Sequence, residues 1–159
     1  MFHLGQTIYF EIKQIDADKN FTSELRSRTV GNHVRARIKA ARGQMRTVAE
    51  DGHQAILLVM NNLDGLQLFG TEQTDFVAAM YGQWEVEYDE NSRMVDSYHG
   101  ENRAFRPGAN HNFSGVGFIL RTRTVPAITV YENIHARWPI KTLPAGFDVV
   151  RFETADAQP

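Results

Sequence analysis

Glu11 and Lys13 stand two residues apart in Tyr9-Phe10-Glu11-Ile12-Lys13. Around them, Ile8, Phe10 and Ile12 alternate with Thr7, Tyr9, Glu11 and Lys13, and this period of two predicts a strand over residues 6–15. Side chains two apart on a strand leave the same face. A carboxylate and an ammonium would therefore sit together. The carboxylate can hold a hard divalent cation such as Mg2+ through oxygen. The ammonium can orient an attacking water or stabilise charge on a phosphate. Both tasks belong to phosphodiester hydrolysis. The same spacing also describes a plain charge pair on an exposed strand, so the surrounding elements must decide.

The next elements would have to position the pair. Val34, Ile38, Ala41, Met45 and Val48 recur at steps of three and four and predict a helix over residues 32–50. Asn32 is placed to cap its start, and Gly52 follows its end. Arg35, Lys39, Arg42 and Arg46 follow the same steps on an adjacent stripe. Between Glu24 and Arg46 the basic residues are Arg26, Arg28, Arg35, Arg37, Lys39, Arg42 and Arg46, against Glu24 alone. Such a segment can track a nucleic-acid backbone, or it can be the solvated face of a helix packed on a sheet. Residues 55–60 then form a continuous apolar run, too short for a typical helix, which reads as a strand covered on both faces. Strand, helix and buried strand make a crossover unit. The fold class expected is mixed α/β, a central mixed sheet with flanking helices.

This order of elements, with Glu-x-Lys on the first strand, resembles the PD-(D/E)XK (restriction-endonuclease-like) nuclease superfamily. The resemblance covers residues 1–82 in some detail and the rest in outline. It implies a restriction-endonuclease-like core, DNA as the nucleic-acid partner and Mg2+ as cofactor. Glu11 would be the metal ligand and Lys13 the residue that positions water or phosphate. Gln44, in Ala40-Ala41-Arg42-Gly43-Gln44-Met45, would be the helix glutamine that faces the site. The stretch Val130-Tyr131-Glu132-Asn133-Ile134-His135-Ala136-Arg137-Trp138-Pro139 resembles a late strand with an Asn followed by a small residue and a proline. One departure matters. The superfamily carries an Asp, often as Pro-Asp-Phe, upstream of Glu-x-Lys. Here Phe2-His3-Leu4 looks like the residues just after that Asp, and Met1 stands in its place. Either the chain starts inside the motif of a longer protein, or it is a degenerate member that no longer cleaves, or Asp16 or Asp18 substitutes.

The rest of the chain reads more plainly. Residues 16–20 form a polar turn, 21–30 a short helix capped by Thr22 or Ser23, 61–65 a turn-rich loop and 66–69 a short strand. Residues 71–81 form a helix with Thr71 as cap and Phe76, Val77 and Met80 inward. Strands are expected at 84–88, 116–124, 127–134 and 147–152, with a turn at Pro126. Residues 91–114, polar and rich in Gly, Asn and His, read as a long irregular loop. Residues 1–154 form a single domain, and 155–159 a flexible tail. A helix-turn-helix over 21–50, turning at Gly31-Asn32, fits less well because its second helix is too long.

Composition narrows the classes. The chain has 159 residues, of which 42% are apolar and 23% charged, enough for one domain with a core. It contains no cysteine, which removes disulfides and thiolate zinc sites and fits a reducing compartment. No apolar run reaches membrane length and no signal peptide is visible, so a cytoplasmic protein without membrane contact is expected. The net charge of −2 means that only the basic segment, not the whole molecule, would meet nucleic acid. By type, His99-Gly100-Glu101 and His111 are either metal ligands or surface histidines. His135, near Arg137, approaches a phosphate or flanks a turn. Trp84 and Trp138 read as packing rather than as base-stacking platforms. Three functions are compatible with these readings: a metal-dependent endonuclease domain, a non-catalytic nucleic-acid-binding module on the same scaffold, or a protein-interaction or inhibitor protein of a mobile element. Monomer and dimer stay open.

Overall fold

Strand, helix and strand form the crossover that the sequence predicts: β1 (Ile8–Ile15), α1 (Asn32–Glu50) and β2 (Gln54–Asn61). The computed structural model describes residues 7–16, 29–62, 69–121 and 125–152. The two strands run parallel, with Glu11 opposite Leu57 and Lys13 opposite Val59. All of β2 except Met60 is buried, as its unbroken apolar run requires.

Helix α1 buries Val34, Ile38, Ala41, Met45 and Ala49. The stripe therefore continues through Ala49, four residues after Met45, and the expected Val48 is only half-buried. Asn32 does not cap the helix. Gly31 holds the cap position with φ 80°, and its backbone N–H donates to Asp75 Oδ1 at 2.7 Å. A side chain does not fit there. A Cβ on Gly31 would stand 2.8 Å from Ala79 N and 2.9 Å from Asp75 O, so only glycine admits this approach of the second helix. Asn32 Oδ1 instead accepts a bond from Arg35 Nη1 at 2.6 Å.

The second helix, α2 (Gln73–Tyr81), starts later than expected because Thr71 is drawn into the core. Thr71 accepts a bond from Asn61 Nδ2 at 3.0 Å, and Glu72 occupies the cap position. Phe76, Ala79, Met80 and Tyr81 are buried, whereas Val77 is half-buried beside a groove. The expected helix over 21–30 and strand over 66–69 lie almost wholly outside the described residues.

The expected loop over 91–114 contains a strand. β3 (Trp84–Tyr88) and β4 (Met94–His99) pair antiparallel as a hairpin apart from the main sheet. Met94 and Val95 are both exposed, so β4 has no buried face to print an alternation on the sequence. After it, residues 101–114 are irregular but tied down. The Ala104 and Phe105 N–H groups donate to the Ala79 and Met80 carbonyls, and Ser114 exchanges two bonds with Ala55.

β5 (Gly115–Leu120) lies parallel to β2, β6 (Ala127–Glu132) runs antiparallel to β5, and β7 (Phe147–Val150) runs parallel to β6. The main sheet is mixed, in the order β1-β2-β5-β6-β7, with β1 outermost among the described residues. One face packs Ala55, Leu57, Val59, Val116 and Tyr131 against α1, α2, Phe105 and Phe113. The other packs Ile56, Leu58 and Val130 against Ile140, Leu143 and Phe147. The class is thus α/β with a mixed sheet. Among the described residues no helix is long and apolar enough to cross a membrane.

Candidate functional site

Glu11 and Lys13 leave β1 on the face that carries α1, because their register partners Leu57 and Val59 belong to the core beneath that helix. Two residues on, Ile15 is buried on the same face, so the pair stands where the core gives way to the sheet edge. Lys13 Nζ lies 2.7 Å from Glu11 Oε1. The two side chains are 26% and 30% exposed, open enough to meet a ligand and covered enough to be aimed.

A helix turns 100° per residue, which places Gln44 and Arg37 on one flank of the buried stripe and Arg35, Lys39, Arg42 and Arg46 on the other. The second flank faces residues 110–113, which lead into β5, since Arg42, Gly43 and Arg46 share a cleft with Asn110, Asn112 and Phe113. Gln44 and Arg37 therefore face the β1 side. Measured from the short turn at 51–53, Gln44 is roughly 9 Å up the helix and Glu11 roughly 10 Å up β1. These ideal rises give the two similar heights. Gln44 is exposed, and no hydrogen bond joins it to Glu11 or Lys13. Arg37 is half-buried, and its Nε has no hydrogen-bond partner.

The four residues of the basic stripe have different roles. Arg35 is a tie rather than a free cation: it donates to Asn32 Oδ1, to the Val30 carbonyl at 3.0 Å and to the Ala78 carbonyl at 3.2 Å. Burial lowers its pKa, and the Asp75 carboxylate opposes that shift. Lys39, Arg42 and Arg46 are exposed.

Several other candidates can now be placed. Asp16 follows β1, and its Oδ1 accepts a bond from Asn62 Nδ2 at 2.8 Å. Alternation turns it away from the face of Glu11 and Lys13. Met1 and Asp18 lie outside the described residues, as does the side chain of His99. His111 is half-buried, and among the described residues no three His, Asp or Glu side chains converge as a metal cluster. His135 has its pKa lowered by burial and by the Arg103 charge. Trp138 packs as expected: its Nε1 donates to the Ala49 carbonyl at 2.8 Å, meeting an end-of-helix acceptor. Asn133 is the residue whose part the sequence left open. It is 1% exposed, its Nδ2 donates to the Phe113 carbonyl at 2.8 Å, and its Oδ1 accepts from the His135 N–H at 3.0 Å. It fixes residues 110–113 as one wall of the arginine cleft.

In donor type the site fits a hard cation. Glu11 offers carboxylate oxygens, and Mg2+ takes only one or two protein carboxylates while keeping several waters. Among the described residues Glu11 is the one carboxylate on this face of β1. No family model, no curated protein and no solved structure matches the chain.

Proposed function

We propose that the chain is a phosphodiester hydrolase domain of the restriction-endonuclease-like class, acting on DNA with Mg2+ in the cytoplasm. The observation that carries this reading is the Glu11–Lys13 pair, side by side at 2.7 Å on the strand that is outermost among the described residues. Glu11 would hold the divalent ion, which when bound supplies Lewis-acid polarisation of a phosphoryl oxygen. Lys13 brings three donors to the same spot, to orient water for in-line attack or to neutralise charge on the phosphate. Among the described residues β1 has no strand beyond it, an edge that a duplex could approach, while α1 packs on its face.

A second reading has its own support. Glu11 is already neutralised by Lys13, and the Arg42 and Arg46 side chains have no ion pair among the described residues. A scaffold that binds nucleic acid without cutting it would look the same.

Incubation of supercoiled plasmid with the protein and Mg2+ or Mn2+ separates the two. Nicking that disappears in Lys13→Ala supports the hydrolase. Salt-dependent DNA binding without nicking by the native chain moves the assignment to the binding module. Neither cleavage nor binding defeats both.

A further inference from the structure

We propose that the cleft between α1 and residues 110–113 is a phosphate subsite for a nucleic-acid backbone, on the flank of α1 opposite Glu11 and Lys13. This rests on the nucleic-acid reading above and adds a second point of contact to it.

The cleft measures about 320 Å³ and is lined by Arg42, Gly43, Arg46, Asn110, Asn112 and Phe113. Two guanidiniums one helical turn apart, in a cleft whose other wall carries Asn110 and Asn112, suit an anion. Arginine forks match phosphate oxygens in pairs. No carboxylate lines the cleft, so nothing there favours a cation. Its one aromatic, Phe113, is 1% exposed and offers no face for a base to stack on. The chemistry therefore selects a phosphate and not a base, which makes the contact independent of sequence.

Three further observations support a built site. Arg42 and Arg46 have no ion pair among the described residues, whereas both terminal nitrogens of Arg35 on the same helix are hydrogen-bonded and Arg151 is held by Glu132 at 2.8 Å. The far wall is fixed in advance: Asn133 Nδ2 bonds the Phe113 and Asn110 carbonyls, and Asn110 Nδ2 bonds the Ala104 carbonyl. Asn110 is held at φ 53°, a conformation uncommon outside glycine. Finally, Gly43 sits inside α1, where glycine weakens a helix, yet a Cβ there would meet nothing within 4 Å. Among the described residues no packing explains it. Its backbone lines the cleft beside Arg42 and Arg46. The Arg137 N–H bonds the His111 carbonyl at 2.7 Å, so a further cation-bearing segment adjoins the same wall.

The test is binding of a fluorescein-labelled DNA duplex, by anisotropy across a salt series, to the native chain and to three variants. Arg42→Gln/Arg46→Gln should bind about tenfold or more weakly at low salt, with a salt slope smaller by about 2, one unit for each lost phosphate contact. Asn112→Leu replaces an amide of the cleft with an apolar group without altering charge and should also weaken binding, with far-ultraviolet circular dichroism confirming an intact fold. Lys141→Gln, an exposed lysine elsewhere, should change little. Unchanged affinity and slope in both cleft variants overturn the subsite, even if the native chain cleaves DNA. Cleft variants that lose binding, in a chain that cleaves nothing, uphold the subsite while the hydrolase reading falls. Inorganic phosphate at matched ionic strength distinguishes the source of the anion. If it binds in the absence of any duplex affinity, the backbone assignment is overturned.

Discussion

The two flanks of α1 treat charge in opposite ways. On the β1 flank, Lys13 and Glu11 neutralise one another at 2.7 Å. On the β5 flank, Arg42 and Arg46 stand over a cleft walled by amides and have no counter-ion among the described residues. A cation and anion held together suit chemistry, in which charge moves during reaction and both signs must be supplied. Cations held apart from any anion suit holding, in which a ligand's fixed charge is met once and kept. The helix between the flanks is about 10 Å across, a span that a polynucleotide backbone bridges and a mononucleotide does not.

The comparison is most easily broken at Lys13. Lys13→Ala should lower nicking of supercoiled plasmid by about 10²–10⁴-fold, the range for losing a positioned proton-transfer or charge-stabilising group. Arg42→Gln/Arg46→Gln should act mainly through weaker substrate binding, raising KM more than it lowers kcat. If the two variants produce the same split, the division of labour is wrong.

Next in size is the joint that holds both flanks in place. Asp75 is fully buried, accepts the Gly31 N–H and lies close to Arg35. Asp75→Ala leaves the buried Gly31 N–H without its acceptor and removes the carboxylate charge near Arg35, and should cost about 2–3 kcal/mol in urea unfolding. Gly31→Ala should cost about 1–3 kcal/mol by the same measurement, because the new Cβ meets α2 backbone in a left-handed conformation.

Gly43→Ala sharpens the contrast from the other side. It should raise stability by about 0.5–1 kcal/mol, since the methyl group improves helix propensity and touches nothing among the described residues. If stability falls instead, the glycine serves packing and not a ligand.

The smallest effect concerns pH. Burial and the Arg103 charge lower the pKa of His135, so the unfolded chain binds its proton more readily than the folded chain. Stability should be complete above the ordinary histidine range and decline as pH falls through it. His135→Asn should flatten that decline, as should Arg103→Gln to a lesser degree, in unfolding midpoints measured between neutral and mildly acidic pH. His135 is only half-buried and solvent screens it, so the change should be slight.

Much of the scaffold was legible before any coordinates. The apolar run of β2 read as a strand covered on both faces, and the spacing of Val34, Ile38, Ala41 and Met45 read as a helix with one buried stripe, and both elements are there. Elements with one clear interior carry their pattern in the chain. β4 carries none, because both its faces are largely exposed, and so it read as loop. Helix caps were misread at both helices for a related reason. Asn32 and Thr71 are good capping types, but Arg35 Nη1 and Asn61 Nδ2 claimed the side-chain oxygens they would have used.

For the site, the sequence by itself determined the chemical types and one geometric fact. Glu11 and Lys13 share a face because strand side chains alternate, and nothing distant can change that. It also determined that α1 carries a basic stripe. Only the tertiary structure decided what each cation does. Arg35 became a tie because α2 packs across the start of α1, and Arg42 and Arg46 came to line a cleft because Asn133, in a segment remote in sequence, fixes residues 110–113 beside them. Helical periodicity sets which way a side chain points, but its partners arrive by long-range packing, and no local pattern records them.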